Sequence, residues 1–298
     1  MLEVETPILV PSPGVDRHID AFAVTGPGRT EGYLATSPEY HMKRLLAANS
    51  GPIMQLTRAF RGDERGPLHN PEFTILEWYQ PGWEYPRLMG QVEELLRGLG
   101  RRHGRDDLFC GEPYGRIGFG DAFQRWAGVD PHRDPTAVLR RAATRGGDPP
   151  PALDDDDRDG WLSYLQASLV EPHLGIGTPS FVDLYPADQC ALARLRPGDP
   201  PVAERFELYA CGVELANGFT ELVDAGEQRA RIEAENQARR DQGRAPLPLD
   251  EDFLAALERM PPSAGVAVGV DRVVMLLLGA GSIGEVMAFP GATGGAGG

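Results

Sequence analysis

The order of predicted elements favours an α+β fold. Apolar runs broken by proline and glycine over residues 1–36 predict short strands and turns. Ile53 to Phe60 and Phe73 to Tyr79 suit strands and flank a segment rich in turn formers and charge, which predicts an antiparallel hairpin with a long loop. Charged, breaker-poor stretches, above all Ala225 to Gln242, predict helices beside these strands.

The other elements follow the same signals. Ser37-Pro38-Glu39 offers a capping residue, a proline and an early acid, which predicts a helix start before Tyr40 to Ala48. Further predicted helices are Leu88 to Leu99, Trp161 to Val170, Phe253 to Met260 and Arg272 to Leu278, and further strands are Pro179 to Leu184, Arg205 to Cys211 and Gly265 to Val270. We interpret residues 85–175 as a helical insertion that includes an acidic surface stretch at 148–159, and residues 291–298 as a glycine-rich, disordered tail.

Composition excludes several classes of protein. With 298 residues, 41% of them hydrophobic, the chain can bury a sizeable core. Its 29 basic and 44 acidic residues give a net charge of −15, which disfavours broad nucleic-acid binding and makes tRNA an improbable partner. Three cysteines without CxxC spacing fit a reducing compartment, and no apolar run is long enough for a membrane span. We expect a soluble, cytoplasmic protein.

Common nucleotide and metal motifs are missing from the sequence. It contains neither a GxxxxGK[ST] loop nor a GxGxxG fingerprint after a strand, so neither a P-loop nor a Rossmann site is predicted. The six histidines show no metal-ligand spacing. Of these histidines, only His69 is a candidate site residue, because it lies in the hairpin loop.

That loop offers groups that suit a nucleotide. Arg61 and Phe73 stand at opposite ends of a polar segment. Arginine binds phosphate through two parallel hydrogen bonds, and an aromatic face stacks on a purine. Taken alone, the segment is equally compatible with a charged surface hairpin.

Two later segments carry further candidate groups. Glu214 to Glu221 spaces two carboxylates and an amide along one predicted strand, and such oxygens suit Mg²⁺ and ammonium groups. Gly265 to Arg272 combines a small-residue strand, which a ligand can approach closely, with an arginine. Alone, each also fits an ordinary strand, the first with a polar exposed face and the second packed in the core.

Taken together and in their order along the chain, segments of this sequence resemble the signature motifs of class II aminoacyl-tRNA synthetases. Leu2 to Pro7 resembles the end of motif 1, Phe60 to Phe73 motif 2, and Gly265 to Arg272 motif 3. Four segments are similar to the lysyl type: Ser37-Pro38-Glu39, His69 to Phe73, Glu77-Trp78-Tyr79 and Glu214 to Glu221. Thr36 to Arg44 and Val202 to Glu207 resemble in particular its short paralogues that modify elongation factor P. The resemblance implies an antiparallel sheet flanked by helices, a catalytic domain over residues 1–290, no anticodon-binding domain, and a homodimer.

The resemblance also implies residue roles. Arg61 and Arg272 would be catalytic, contacting the α- and γ-phosphates, and Glu214 would hold Mg²⁺. The implied ATP-binding residues are Arg61, Gly62, Asp63, His69, Asn70, Phe73, Glu214, Leu215, Asn217, Gly269 and Arg272. The implied substrate-binding residues are Ser37, Pro38, Glu39, Glu77, Tyr79, Phe219, Glu221 and Ala267.

The implied activity is that of an ATP- and Mg²⁺-dependent ligase. It would activate (R)-β-lysine, or lysine, as the aminoacyl-adenylate and transfer it to a lysine side chain of elongation factor P. The alternatives are lysyl-tRNA synthetase-like charging of tRNA and a non-catalytic, nucleotide-binding regulator.

Two of the departures from the lysyl-type pattern bear on the predicted site residues. Ala267 stands where lysyl-tRNA synthetases have glycine, which indicates a substrate other than ordinary lysine, and Gly62-Asp63 replaces the usual Asn-Glu. The second change predicts weaker ATP binding.

Overall fold

The protein is described by a computed structural model that covers residues 1–17, 19–62, 64–145 and 153–291. The chain forms two compact units. The first unit comprises Met1–Trp83 and Glu221–Gly298, and the second comprises Glu84–Thr220.

Runs of strands and runs of helices follow one another along the described chain. The strands are β1 (Leu2–Glu3), β2 (Leu9–Val10), β3 (Ala23–Gly26), β4 (Arg29–Leu34), β5 (Ile53–Phe60), β6 (Glu72–Pro81), β7 (Gly115–Gly118), β8 (Ser180–Pro186), β9 (Leu195–Arg196), β10 (Val202–Ala210), β11 (Val213–Thr220) and β12 (Ser263–Gly269). The α-helices are α1 (Glu39–Ala47), α2 (Tyr85–His103), α3 (Asp106–Phe109), α4 (Phe119–Trp126), α5 (Thr136–Ala143), α6 (Arg158–Leu165), α7 (Ala225–Asp241), α8 (Glu251–Leu257) and α9 (Val270–Leu278). A π-helical turn (Gln166–Val170) extends α6, and short 3₁₀ turns lie at Glu171–His173, Ala187–Gln189 and Ile283–Glu285.

The first unit is built on the sheet order β1-β5-β6-β12. β1 is parallel to β5, whereas β5 and β12 both run antiparallel to β6. β5 and β6 form the hairpin predicted from the sequence, with Ile53 opposite Tyr79 and Phe60 opposite Glu72. A small antiparallel sheet, β2-β4-β3, accounts for the strands and turns expected near the N-terminus.

In the first unit, α7 and α8 begin at side-chain caps and α9 begins at the end of a strand. Asp224 and Asp250 accept hydrogen bonds from backbone N–H groups in the first turns of α7 and α8, which satisfies donors that the helix leaves open. α8 packs on α1 through stacked rings of Tyr40 and Phe253, whose centroids are 4.0 Å apart. α9 starts directly after β12, at Val270.

The second unit contains the strand order β11-β10-β8-β7, with β9 paired to β10. Its core gathers apolar side chains from α4, α5, α6, β8 and β10, among them Phe123, Leu139, Trp161 and Tyr209. α2 ends at Gly104 in the left-handed conformation that favours glycine.

These elements confirm the α+β class, with helices against mostly antiparallel sheets. Within residues 85–175, where we expected helices alone, the structure also has the strand β7, and α2 runs well beyond Leu88 to Leu99 at both ends. The sequence does not predict β7, because Gly115–Gly118 and its flanks contain four glycines or prolines, which are typical of turns. Part of the predicted acidic stretch, residues 148–152, and residues 292–298 of the predicted tail lie outside the described residues.

No helix among the described residues is long and apolar enough to cross a membrane.

Candidate active site

Three glutamates of the first unit meet in a pocket that we call the glutamate pocket. Glu39 is the first residue of α1, Glu77 lies in β6, and the N–H of Glu221 donates to Ser263 O at 2.9 Å. Glu77 and Glu221 are each only 2% exposed. Buried carboxylates are costly unless they are hydrogen-bonded or paired, so the surroundings of this cluster decide its chemistry.

Ser37 and Tyr79 orient the central carboxylate of the pocket. Ser37 Oγ donates to Glu77 Oε2 at 2.9 Å, and Tyr79 OH donates to Glu77 Oε1 at 2.6 Å. Ser37 Oγ also accepts from the N–H of Glu39 at 3.0 Å, so one hydroxyl joins the start of α1 to the pocket. The helix begins at Glu39, and Pro38 occupies the capping position expected for Ser37.

A lysine without a predicted role completes the pocket. Lys43 is 1% exposed, and its Nζ lies 2.6 Å from Glu39 Oε1 and 2.5 Å from Glu221 Oε2. The i,i+4 spacing of Glu39 and Lys43 on one helix indicates an ion pair. The contact with Glu221 joins positions far apart in the chain, which no local pattern predicts.

Burial and mutual repulsion raise the pKa of two carboxyl groups of the pocket, those of Glu77 and Glu221. Burial, followed by the charge of Glu39, raises the pKa of Glu77 to about 7. Burial raises the pKa of Glu221 to about 8 against the opposing pull of Lys43. Burial by itself lowers the pKa of Lys43, but Glu221 and Glu39 outweigh it and leave that pKa above its ordinary value. The pocket is therefore poised to bind cations, which favour the ionised carboxylates.

The floor of the pocket is formed by β12, next to β6. Gly265 is paired with Tyr79, and Ala267 with Glu77. A Cβ at Gly265 would lie 2.3 Å from both Glu221 Oε1 and Tyr79 Cε1, so glycine is required by the close approach of these side chains. On the other side of Glu77, Gln55 of β5 is 2% exposed, and its Oε1 has no hydrogen-bond partner among the described residues.

Arg61 and Phe73 come together in the first unit as a candidate nucleotide site. The Arg61 guanidinium lies over the Phe73 ring, 5.1 Å from its centroid, and Nη1 donates to Glu64 Oε1 at 3.2 Å. Arg61 Nε is buried and has no hydrogen-bond partner within the described chain. An unsatisfied buried donor on an arginine is costly, and a bound phosphate would satisfy it.

Arg272 and His69 also come together. Arg272 Nη2 lies 2.8 Å from His69 Nε2, and Arg272 Nε donates to Leu68 O at 3.2 Å. Burial, and then the charge of Arg272, lower the pKa of His69, so the ring is neutral and can accept from the guanidinium. Gly269, another predicted ATP-binding residue, caps α9.

The backbone around Gly62 explains the departure from the lysyl-type pattern. The N–H of Gly62 donates to Asp20 O at 2.6 Å, and a Cβ at Gly62 would lie 3.2 Å from that oxygen. Asp20 in turn pairs with Arg244. Glycine therefore allows this close backbone approach. Asp63 lies outside the described residues.

Asn70 uses its side chain on the backbone. Nδ2 donates to Glu72 O at 2.5 Å, and Oδ1 accepts from the N–H of Gly291 at 2.8 Å. The predicted contact of Asn70 with adenine is therefore more compatible with its backbone than with its amide, because the amide is already occupied.

In the second unit, a β-bulge gathers the predicted polar residues of β11 on one face. Leu208 is opposite Ala216 and Tyr209 is opposite Glu214, so the register skips Leu215. A bulge of this kind reverses the alternation and brings Glu214 to the face of Asn217 and Phe219. Leu215 is only 1% exposed, which leaves its backbone for any ligand contact, and Phe219 packs against the core of this unit.

The same face carries a buried glutamate that the sequence reasoning missed. Glu207 is opposite Asn217 and accepts hydrogen bonds from Tyr185 OH at 2.6 Å and Arg205 Nη2 at 2.6 Å. Arg205 Nε also donates to Asn217 Oδ1 at 3.2 Å. The alternation of Arg205 and Glu207 on one strand could have indicated this pair.

Magnesium fits this face only with help from a ligand. No group of three or more His, Cys, Asp or Glu side chains that could hold a metal ion occurs in the described residues. Mg²⁺ in nucleotide sites is commonly held by one or two carboxylates together with phosphate oxygens, so a single partly buried carboxylate such as Glu214 meets that need.

A cavity of about 740 Å³ in the first unit is separate from the glutamate pocket. Its lining includes Arg58 and Phe60 of β5, together with Phe289 near the end of the described chain. Because side chains alternate along a strand, Arg58 and Phe60 point to the face opposite Gln55 and its neighbour Glu77. The cavity therefore does not form part of the pocket.

Comparison with known families agrees with this architecture. A model for class II tRNA synthetases of the aspartate, lysine and asparagine type (D, K and N) matches residues 1–293. The chain belongs to this family.

Curated relatives narrow the comparison. Proteins named elongation factor P--(R)-beta-lysine ligase are similar to this chain: one from Klebsiella pneumoniae is 48% identical over 295 residues, and one from Proteus mirabilis is 47% identical over 296 residues. One from Edwardsiella ictaluri is 48% identical over 295 residues. Each alignment covers 97% of this chain and 88% of the relative.

Proposed function

We propose that this chain is an ATP-dependent ligase that activates (R)-β-lysine as its adenylate and transfers the β-lysyl group to a lysine side chain of elongation factor P. The glutamate pocket carries the proposal, because three clustered carboxylates, two of them buried, suit a substrate with two ammonium groups. The names of the curated relatives support the same substrate and the same acceptor.

In this proposal the glutamate pocket holds the diamino acid. Glu39, Glu77 and Glu221 bind its ammonium groups, and Tyr79 and Ser37 keep Glu77 in position. Pro38 borders the site, and Ala267 forms its floor beside Glu77. A methyl group at that point discriminates between α- and β-amino acids by about 1–3 kcal/mol. The substrate contact of Phe219 stays a prediction.

ATP would bind at the candidate nucleotide site. Arg61 would offer its Nε, which has no hydrogen-bond partner within the described residues, to the α-phosphate. Phe73 would stack on adenine, and Arg272 with His69 would bind the γ-phosphate. Gly62, Asp63, Asn70, Leu215, Asn217 and Gly269 would complete the ATP site. Glu214 would hold Mg²⁺, which would offset the charge of the phosphates.

The chemistry requires orientation more than a catalytic base. The substrate carboxylate attacks the α-phosphorus, a bond to the carboxyl oxygen forms, and pyrophosphate leaves. Arg61 and Arg272 stabilise the charge that develops on the phosphates, since preorganised cations are most effective in a site shielded from water. The neutral lysine amine of the acceptor then attacks the carbonyl carbon, and AMP leaves.

The proposal extends to assembly and location. We infer a homodimer, because the first unit leaves Leu2, Leu9 and Leu56 at 58%, 51% and 56% exposure and Phe289, beside the cavity, at 93%. Residues 1–290 would act as one catalytic domain. We place the protein in the cytoplasm, where elongation factor P acts in translation, and we do not expect tRNA to be an acceptor.

ATP–pyrophosphate exchange tests the adenylation step. Exchange stimulated by β-lysine, and more weakly by lysine, supports the proposal. Binding of ATP without exchange for any diamino acid would instead support a regulator that only binds nucleotide. Labelled β-lysine or lysine offered together with elongation factor P and lysine tRNA identifies the acceptor, and labelling of the tRNA alone would refute the proposed transfer.

A further inference from the structure

Lys43 brings a cation of the protein's own into the glutamate pocket. It lies in α1, one turn after Glu39, and is 1% exposed. Its Nζ is 2.6 Å from Glu39 Oε1 and 2.5 Å from Glu221 Oε2. Lysine is almost never fully buried unless it is paired, so these two contacts account for its location.

The charges of the pocket then match a diamino acid. When all are ionised, the carboxylates of Glu39, Glu77 and Glu221 carry three negative charges, and Lys43 offsets one of them. Two negative charges remain for two ammonium groups. A buried site is stable only when its charges are compensated, so the lysine affects how many cations the ligand has to supply.

Lys43 also leaves specific acceptor atoms for the ligand. It contacts one oxygen of Glu221, whereas the other, Oε1, is buried and lacks a hydrogen-bond partner among the described residues. Gln55 Oε1, next to Glu77 across the strand pair, is buried and unpaired in the same way. Buried acceptors without donors are costly, and ammonium groups supply such donors.

We propose that Lys43 is a positioning residue that holds the carboxylates of Glu39 and Glu221 in place, so that they receive the ammonium groups of the diamino acid. This inference rests on the proposed function and adds to it a residue that need not touch the substrate. Lys43 acts on the ligand through the two carboxylates that it contacts.

The groups that face Lys43 determine how its removal would be observed. They are Glu39 on its own helix, Glu221, and Glu77 with its partner Tyr79 on β6. Lys43 lowers the pKa of Glu77 and of Glu221 relative to burial alone. Without Lys43, the carboxyl groups of Glu77 and Glu221 would ionise only at higher pH. The carboxylates, which bind cations, would therefore appear only at higher pH.

The first experiment compares Lys43→Met with the wild type in ATP–pyrophosphate exchange with β-lysine, across a range of pH. We expect KM at neutral pH to rise at least about tenfold, with a much smaller change in kcat. The acidic limb of kcat/KM should move to higher pH by about one to three units, the usual effect of an opposite charge at this range. Lys43→Arg keeps the charge and should restore most of that shift.

Arg44→Met is the matched control. Arg44 follows Lys43 on the same helix, but its guanidinium lies 3.3 Å from Asp252 and 4.0 Å from Asp250, outside the pocket. Arg44→Met also removes one positive charge from α1, and it should leave the acidic limb of kcat/KM unchanged. If Lys43→Met lowers activity and thermal stability without moving the limb, Lys43 is merely structural and the inference is wrong.

Carbon-13 NMR of the glutamate carboxyl groups gives a second readout that does not require turnover. In the free protein, the Glu221 signal, assigned with Glu221→Gln, should titrate at higher pH in Lys43→Met than in the wild type. An unchanged Glu221 titration would overturn the inference even if exchange is normal. A raised Glu221 pKa with no exchange for any diamino acid would support the role of Lys43 and refute the proposed function.

Discussion

Replacing Gly265 by alanine tests the construction of the glutamate pocket. The added Cβ would lie 2.3 Å from Glu221 Oε1, 2.3 Å from Tyr79 Cε1 and 2.6 Å from Tyr79 Cδ1. Neither neighbour can move freely, because Glu221 pairs with Lys43 and Tyr79 donates to Glu77. One methyl group should therefore disturb two contacts of the pocket at once.

The structure sets the size of the expected effect. Overpacking of a core generally costs about 1–3 kcal/mol. If Glu221 moves away from Lys43, the loss of a buried ion pair costs up to about 3–5 kcal/mol. We expect the free energy of unfolding of Gly265→Ala to fall by about 2–5 kcal/mol, and KM for β-lysine to rise more than kcat falls.

Denaturant unfolding of Gly265→Ala beside Gly269→Ala provides the assay. Gly269 ends the same strand, and the nearest atom to its added Cβ would be Arg272 Cδ, at an ordinary contact distance of 3.7 Å. The control should therefore change the free energy of unfolding by less than about 1 kcal/mol. Equal stability of the two variants, with an unchanged KM in Gly265→Ala, would refute the close packing described for the pocket.

Three further predictions concern the arginines, the pocket carboxylate and the second unit. Arg61→Ala and Arg272→Ala should each slow pyrophosphate exchange by about 100-fold or more, because each removes a phosphate-binding cation; unchanged rates in both would refute the candidate nucleotide site. Burial raises the pKa of Glu77 from its ordinary value of 4.5 to about 7. In the free protein, the protonated carboxyl group therefore contributes stability that is complete below pH 4.5 and is lost as the pH rises through 7. Thermal unfolding without substrate should show a loss of up to about 3 kcal/mol over this range, and Glu77→Gln should flatten it. Glu207→Ala removes the carboxylate that pairs with the largely buried Arg205 and should destabilise the protein by about 3–5 kcal/mol in denaturant, whereas a loss under about 1 kcal/mol would contradict this role of the ion pair.

Much of the fold follows from local signals in the sequence. β5 was predicted at its observed bounds, and α7 and α9 nearly so, because periodic patterns between breakers determine such elements. β7 was missed, since its four residues include two glycines and its stability comes from parallel pairing with β8. Pairing between distant segments leaves little trace in a short stretch of sequence.

In the candidate site, too, some residues follow from the sequence and others depend on the tertiary fold. The predicted residues Ser37, Glu39, Glu77, Tyr79 and Glu221 do come together in one pocket. Their roles in catalysis and binding remain predictions. The sequence does not indicate Lys43 as a site residue, because its contact with Glu221 depends on the tertiary fold. The need for glycine at position 62 likewise comes from the backbone of Asp20, which lies beside it only in the folded chain.

The central claim is transfer of an activated diamino acid to a protein lysine. Purified chain, ATP, Mg²⁺ and (R)-β-lysine should be incubated with elongation factor P, and the intact mass of the factor measured. We predict the addition of one β-lysyl group to a single lysine, dependent on ATP and abolished by Arg61→Ala. An unmodified factor, in a mixture where the same enzyme forms the β-lysyl-adenylate, would contradict the claim.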